Sequence, residues 1–135
     1  MREILFRGKR IDNGEWVSGG VLQIPEYVAI CSYNDYHQWH DFIEIIPETV
    51  GQFTGLTDKN GKKIFEGDIL NTSNSNCRIW YVDYKNTAFC ANQGNANYSC
   101  VLDEFMQYSS VEVIGNIHDN PELLEEQDND KQICD

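Results

Sequence analysis

The densest group of side chains with metal-binding chemistry lies in residues 32–41. Asp35, His37, His40 and Asp41 place four carboxylate or imidazole groups within seven residues, and both groups bind zinc. A His-x-x-His pair outside a helix fixes no ligand geometry, however, and the sequence shows no second coordinating element. Metal binding is therefore the minority interpretation, and the sequence predicts no metal site and no cofactor.

Groups for acid–base or nucleophilic catalysis are also sparse. Glu66 and Asp68 flank Gly67 on a predicted bend and could form a carboxylate pair. A structural role explains them better, because an aspartate at a tight corner accepts backbone N–H bonds. The sequence has no nucleophile elbow, phosphate-binding loop or dinucleotide fingerprint, and no evident base accompanies Cys31 or Cys100. We therefore expect that the protein is not an enzyme.

Binding chemistry is better represented. Residues 32–41 form a polar and aromatic stretch, and Tyr and Trp give large contact areas at low entropic cost. Residues 1–10 carry four Arg or Lys residues against one Glu. This strip either binds an anion or is an exposed strand face paired with the protein's own carboxylates, which is the commoner case. The candidate binding residues are Tyr33, Tyr36, His37, Trp39, His40, Arg7 and Arg10.

Short strands joined by turns are predicted to position these residues. Asp12-Asn13-Gly14 predicts a hairpin turn between strands at 3–10 and 15–23. Apolar residues at helical spacing predict a short helix over 99–108. The other main predicted strands are 27–31, 42–46, 78–84, 87–91 and 111–117.

Residues 55–70 combine turn chemistry and apolar residues more tightly than any other stretch. In Asp58-Lys59-Asn60-Gly61, the Asp side chain can accept a backbone hydrogen bond two residues on, and Gly61 is predicted at positive φ. A second corner is predicted at Gly67, just before a strand. The residues given structural roles here are Gly55, Asp58, Gly61, Gly67 and Asp68.

Three stretches of the sequence resemble the YopX family of small bacteriophage and prophage proteins. They are the region 55–69, the opening residues 2–10 with Trp16, and the late segment 111–124. The resemblance implies a mainly β fold, with an SH3-like β-barrel in the C-terminal part. It implies no established activity, so no catalytic or ligand residue carries over from the family.

The predicted organisation follows from these elements. An N-terminal β region with a hairpin and the aromatic loop covers residues 1–50, and the SH3-like barrel covers 51–118. Residues 119–135 are predicted to form a helical turn and an acidic tail. The whole chain is therefore expected to be mainly β, with one or two short helices.

Composition narrows the range of partners and compartments. A net charge of −12 argues against direct nucleic-acid binding, which needs clustered Lys and Arg. The five cysteines are odd in number and show no Cys-x-x-Cys spacing, which indicates reduced thiols. The sequence shows no secretory pattern and no apolar run of the ~20 residues that a membrane span needs. We therefore expect a cytoplasmic protein that does not bind membranes.

Three function classes fit these features. The leading class is a non-catalytic phage or prophage protein whose β scaffold presents the aromatic loop and the basic strand to an unknown protein partner, for example a host protein. The first alternative is an acidic nucleic-acid mimic that blocks a host DNA-binding protein. The second alternative is a protein that binds or sequesters a small, nucleotide-like molecule. In addition, the hairpin at 3–23 and the strand at 42–46 carry apolar residues on both faces, which predicts a homo-oligomer built through the N-terminal region.

Overall fold

A computed structural model describes residues 2–33, 39–72, 78–93 and 98–124, with the backbone alone described at 32, 33 and 39–41. The chain divides into two units, Met1–Gly55 and Leu56–Asp135. The predicted domains 1–50, 51–118 and 119–135 remain predictions. Within the described residues, no helix is long and apolar enough to cross a membrane.

The first unit is built from antiparallel strands joined by short connections. These strands are β1 Phe6–Lys9, β2 Trp16–Ile24, β3 Tyr27–Tyr33, β4 Trp39–Glu44 and β5 Gly51–Thr57, whose last two residues belong to the second unit. Their hydrogen-bonded order is β4-β3-β2-β1-β5. A single 3₁₀ turn, Pro47–Thr49, precedes β5. The Thr49 hydroxyl accepts a 2.9 Å bond from the Lys9 backbone and so ties this turn to β1.

The chain that follows β4 crosses back to β1. The backbone N–H of Ile46 donates to the Lys9 carbonyl at 2.9 Å, and Ile45 is fully buried. A Cβ at Gly8 would lie 2.3 Å from Ile45, so only a glycine leaves room for this side chain. The predicted strand 42–46 therefore ends early, at Glu44, because the next residues pack on β1. The homo-oligomer, which was inferred in part from that strand, remains a prediction.

The second unit contains a five-stranded antiparallel sheet and one helix. The hydrogen-bonded order of the sheet is β10-β9-β8-β7-β11, and β6 lies beside β5. A bulge between Val113 and Gly115 interrupts the pairing of β11 with β7. The elements are β6 Lys63–Phe65, β7 Asp68–Thr72, β8 Ile79–Lys85, β9 Ala88–Gln93, β10 Ser99–Val101, α1 Leu102–Tyr108 and β11 Val111–Asn116.

The core of the second unit includes buried residues of α1 and of the sheet. Burying one large apolar side chain stabilises a fold by roughly 1.5–3 kcal/mol, so this cluster dominates the stability of the unit. The helix packs against β9 and β10. The buried members of the cluster are Ile64, Leu70, Trp80, Val82, Ala91, Leu102, Phe105, Val111 and Val113.

The predicted helix over 99–108 is correct only in its second part. Ser99–Val101 is a strand that pairs with residues 90–92 of β9, and the helix begins at Leu102. Local spacing suggested a longer helix because Val101 fits the helical period, yet Val101 is 45% exposed. After β11, residues 122–124 form a helical turn, and 125–135 lie outside the described residues.

The mainly β class is confirmed, and the SH3-like barrel is not. Among the described strands, neither sheet closes on itself. In the second unit the edge strand β10 has only three residues before the chain turns into α1, which limits its pairing to β9. Among the described residues, α1 and the helical turn at 122–124 match the expected one or two short helices, and the 3₁₀ turn is an additional helical element.

Candidate functional site

The turn between β1 and β2 sets the geometry of the candidate site. Gly14 has a φ of +73°, and its N–H donates to the Arg10 carbonyl at 3.0 Å. The Asn13 side chain accepts a 2.9 Å bond from the Glu15 N–H. This turn places Lys9 directly opposite Trp16 across the two strands.

Two cations and one indole ring lie together on this hairpin. The guanidinium carbon of Arg7 is 4.7 Å from the centroid of the Trp16 ring, and the Lys9 ammonium is 5.9 Å from it. Arg7 and Lys9 are two residues apart on one strand, so they lie on the same face of the sheet. We call Arg7, Lys9 and Trp16 the cation–aromatic surface. Each such contact is worth about 0.5–1 kcal/mol at an exposed site.

The opposite face of β1 fixes this orientation. Gly8 lies between the two cations in the chain and faces the other way, against the fully buried Ile45. A shift of one residue in register would move Gly8 away from Ile45 and force a clash. The packing of the first unit therefore holds Arg7, Lys9 and Trp16 on the face away from Ile45.

Arg10, which the sequence also placed in the basic strip, pairs with a neighbouring carboxylate. Its Nε and Nη2 atoms donate to the two carboxylate oxygens of Asp12 at 2.9 and 2.8 Å. These hydrogen bonds lower the pKa of Asp12 and raise that of Arg10. Arg10 is thus paired with one of the protein's own carboxylates, which is the commoner case for such a basic strip. Its role in binding remains a prediction.

The aromatic loop is described only in part. Tyr36 and His37 lie outside the described residues, and the side chains of Tyr33, Trp39 and His40 are not described. The backbone of Tyr33 pairs with Trp39 beyond a shift in the β3–β4 register. The proposed metal ligands of this loop therefore stay untested. In the described part of the chain, no group of three His, Cys, Asp or Glu residues could hold a metal ion.

The turn at Asp58 has a structural role. One carboxylate oxygen of Asp58 accepts bonds from the N–H groups of Asn60 at 2.8 Å and Lys62 at 2.9 Å, and the other accepts from Val113 at 2.9 Å. Burial raises the pKa of Asp58, but these three donors and the charge of Lys62 outweigh it and lower the pKa below its ordinary value. The prediction that Gly61 has positive φ is confirmed, with a φ of +81°.

The second corner uses Asp68 in a similar way. The Asp68 side chain is almost fully buried, and one carboxylate oxygen accepts a 2.7 Å bond from the Phe65 N–H. Gly67 has a φ of +89°, its N–H donates to the Val82 carbonyl, and its carbonyl accepts from the Ile117 N–H, both at 2.8 Å. Asp68 therefore has the structural role predicted for it, because it accepts a backbone N–H bond at a tight corner. Gly55, the remaining residue that the sequence assigned a structural role, also has positive φ, at +90°.

The described cysteines are free thiols. Cys31 and Cys90 are buried, and Cys100 is half-buried. Burial and the neighbouring carboxylate of Glu104 raise the pKa of the Cys100 thiol, which disfavours its reactive thiolate form. Cys77 and Cys134 lie outside the described residues.

Comparison with known protein families shows to which family the chain belongs. A family model described as YopX protein matches residues 5–125. The chain belongs to the YopX family. The resemblance seen in the three sequence stretches is therefore confirmed, and it covers the bulk of the chain.

A solved structure similar to this YopX-family chain is the crystal structure of protein EF1440 from Enterococcus faecalis. Its TM-score is 0.56 at 24% sequence identity, and the match covers 92% of this chain and 99% of that chain. At this level of identity the likeness shows the fold alone. No curated protein matches the chain.

Two residues of the cation–aromatic surface were missing from the candidates chosen by sequence. Lys9 and Trp16 were overlooked as site residues because the candidates were drawn from composition and not from strand register. A two-residue turn at Asn13-Gly14 would pair Trp16 with Ile11, and the observed longer loop pairs it with Lys9. Either register puts Lys9 and Trp16 on the same face of the hairpin in this YopX-family sequence. That signal was available in the sequence and could have identified the surface.

Proposed function

We propose that this protein is a non-catalytic binding protein of a phage or prophage, acting in the cytoplasm, and that the cation–aromatic surface holds its protein partner. One observation supports the proposal most strongly. The cationic groups of Arg7 and Lys9 lie within 6 Å of the centroid of the Trp16 ring, on one face of the β1–β2 hairpin. We also propose that the short strands of the second unit form an SH3-like arrangement that does not close into a barrel.

The chemistry of this surface favours a partner that presents a carboxylate beside an apolar side chain. Trp and Arg are enriched among the residues that dominate binding energy in protein interfaces. The guanidinium of Arg7 and the ammonium of Lys9 can each donate to a carboxylate, and the indole ring offers apolar area. Because the Trp16 ring is already held by neighbouring cations, less side-chain entropy is lost on binding.

A small nucleotide-like ligand is the second candidate. The same three side chains support it, because an aromatic ring and two cations on one face can take a base and a phosphate. Nucleic-acid mimicry has weaker support from the described residues. Two carboxylates, those of Asp58 and Asp68, are buried on backbone N–H groups and are unavailable to imitate phosphates.

The test is quantitative affinity capture from a host lysate with the full chain as bait, followed by mass spectrometry. Baits carrying Trp16→Leu, or Arg7→Gln with Lys9→Gln, are compared with the parent. Arg78→Gln is the control for loss of a cation elsewhere on the surface, because Arg78 is exposed in the second unit. We expect one partner to be captured by the parent and the control, and to fall about tenfold or more with either variant.

Two other outcomes would redirect the proposal. A partner retained by Trp16→Leu but lost when residues 32–41 are deleted would move the binding surface to the aromatic loop. A capture that yields a nucleotide and no protein would favour the small-molecule candidate. Chemical modification of a captured molecule by the protein would contradict a non-catalytic role.

A further inference from the structure

Asn92 is a polar side chain buried on the face of the second unit's sheet that points away from α1. It lies on β9 between Tyr81 of β8 and Ser99 of β10, and successive residues of a strand face opposite sides. Its neighbour Ala91 faces the other side and belongs to the core cluster that includes residues of α1. Asn92 is only 3% exposed, so its polar groups need hydrogen-bond partners.

The side-chain nitrogen of Asn92 is fully used. Nδ2 donates to the Tyr81 carbonyl at 3.3 Å and to one carboxylate oxygen of Asp83 at 2.9 Å. Both partners are acceptors, and the reversed amide would place Oδ1 against these two oxygens. The two hydrogen bonds therefore fix which way the amide group points.

The side-chain oxygen of Asn92 has no such use. Oδ1 is buried without a hydrogen-bond partner among the described residues. Buried acceptors in folded proteins nearly always have a partner, so this oxygen points to a donor that comes from outside the chain. Gln93 has a second buried oxygen of this kind, but it lies on the helix side of β9 and is not part of this site.

Two further oxygen-bearing side chains lie beside Asn92 on the same face. Asp83 is half-buried, and in the described part of the chain its carboxylate has one hydrogen bond, the one from Asn92. The second carboxylate oxygen can therefore accept another bond. Ser99 is exposed, lies directly opposite Asn92 and adds a hydroxyl that can also accept. We call Asp83, Asn92 and Ser99 the acceptor cluster.

The acceptor cluster can be approached from the edge of the sheet. β10, which carries Ser99, is the end strand of the order β10-β9-β8-β7-β11. Val101, the next residue on this face of β10, is 45% exposed, so the edge is open to solvent. Because serine is small, a slender group that approaches over β10 passes one short side chain before it meets Asn92.

We propose that the acceptor cluster binds a primary alkylammonium group. Such a group has three N–H donors and no acceptor, which complements a set of three oxygens. Its positive charge pairs with the Asp83 carboxylate, and charge-assisted hydrogen bonds are about twice as strong as neutral ones. It is also compact and ends a flexible stem, so it reaches a buried acceptor more easily than a planar guanidinium does. This site lies in the second unit and does not depend on the function proposed for the cation–aromatic surface.

The probe is n-butylammonium, titrated into the ¹⁵N-labelled full chain at about 0.15 M salt, where long-range attraction is screened. We expect saturable shifts of the Asn92 side-chain amide and of the backbone amides of residues 81–83, 90–92 and 99. The matched control is n-butyltrimethylammonium, which has the same charge and no N–H donor and should cause no saturable shifts. A lysine side chain and a free aliphatic amine share this chemistry. N-acetyl-lysine methylamide and 1,5-diaminopentane represent these two sources, and the tighter binder identifies the source.

Two variants and one control locate the site. Asp83→Asn keeps an acceptor but removes the charge, and it should weaken n-butylammonium binding about five- to tenfold. Asn92→Leu removes the buried oxygen and should abolish saturable binding, with the fold verified by unchanged amide spectra outside residues 81–99. If Asn92→Leu does not fold, the half-buried Asp83 still tests the proposal. Asp103→Asn removes an exposed carboxylate from α1 in the same unit and should leave binding unchanged.

Several results would overturn the proposal. They are the absence of saturable shifts with n-butylammonium, equal binding of n-butyltrimethylammonium, and equal weakening by Asp83→Asn and Asp103→Asn. An amine-soaked crystal in which an ordered water keeps the bond to Asn92 Oδ1 would also overturn it. Trp16→Leu should leave n-butylammonium binding unchanged, so failure of the acceptor cluster and failure of the cation–aromatic surface are separate observations.

Discussion

Replacing Asp58 by alanine should destabilise the second unit by about 2–4 kcal/mol. The substitution removes the acceptor of three backbone N–H groups. The N–H groups of Asn60 and Lys62 belong to exposed residues and can bond to water instead, so losing their bonds to Asp58 costs little free energy. The N–H of Val113 lies in a buried strand, and an unsatisfied buried donor costs about 1–3 kcal/mol, with loss of a charge-assisted bond adding to it.

The Asp58 contribution should also depend on pH. The pKa of Asp58 is lower in the folded protein than in the unfolded chain, where it is about 3.9. The stabilisation is therefore fully present above pH ~4 and is lost as the pH falls through the folded-state pKa. The difference in unfolding free energy between the parent and Asp58→Asn should narrow below pH ~4.

Urea unfolding followed by circular dichroism measures these free energies. Hydrogen exchange of the Val113 amide reports the hydrogen bond between this amide and the Asp58 carboxylate. Asp103→Asn, on an exposed turn of α1, is the control and should change stability by less than about 0.5 kcal/mol. An Asp58→Ala protein as stable as the parent, with Val113 still protected from exchange, would refute the argument that the carboxylate ties this turn to β11.

Four further predictions concern single residues. Gly61→Val should cost about 1–3 kcal/mol in urea unfolding, because its φ of +81° strains a β-branched residue; unchanged stability would refute this. Thr87→Gly should raise stability by about 0.5–1 kcal/mol by relieving a φ of +65°; a loss would refute it. Cys100 should react with iodoacetamide more slowly at pH 7 than glutathione does. Light scattering should show an oligomer that Phe42→Ser weakens, since Phe42 is 55% exposed on β4; a parent mass of 15.6 kDa would contradict it.

The sequence predicted the turns of this protein well because turn geometry is local. Gly61 has the predicted positive φ, and Gly14 and Gly67, which also have positive φ, lie at the predicted hairpin turn and the predicted corner. Asp58 accepts the bond from Asn60 that the Asp-x-Asn spacing suggested. Its longer bond to Val113 could not be read from that spacing, since the two residues are 55 positions apart.

Elements that depend on distant pairing were predicted less well. Ser99–Val101 followed a helical pattern locally, but its strand pairing with β9 prevailed. The end of β4 depends on Gly8 leaving room for Ile45, which only the register of the first unit reveals. Lys9 and Trp16 were not predicted as site residues because their place in the site depends on the pairing of β1 with β2. Trp16 joins Arg7 through cross-strand pairing and not through proximity in the chain.

The central claim, that a partner docks on the cation–aromatic surface, is tested most directly by site-specific photo-cross-linking in the host. Ser18 is exposed and lies opposite Arg7 on the same face of the sheet, whereas Gln23 is exposed on the opposite face of β2. The account predicts that Ser18→benzoylphenylalanine forms one discrete adduct and that Gln23→benzoylphenylalanine does not. No adduct at position 18, or the same adduct at both positions, would contradict it.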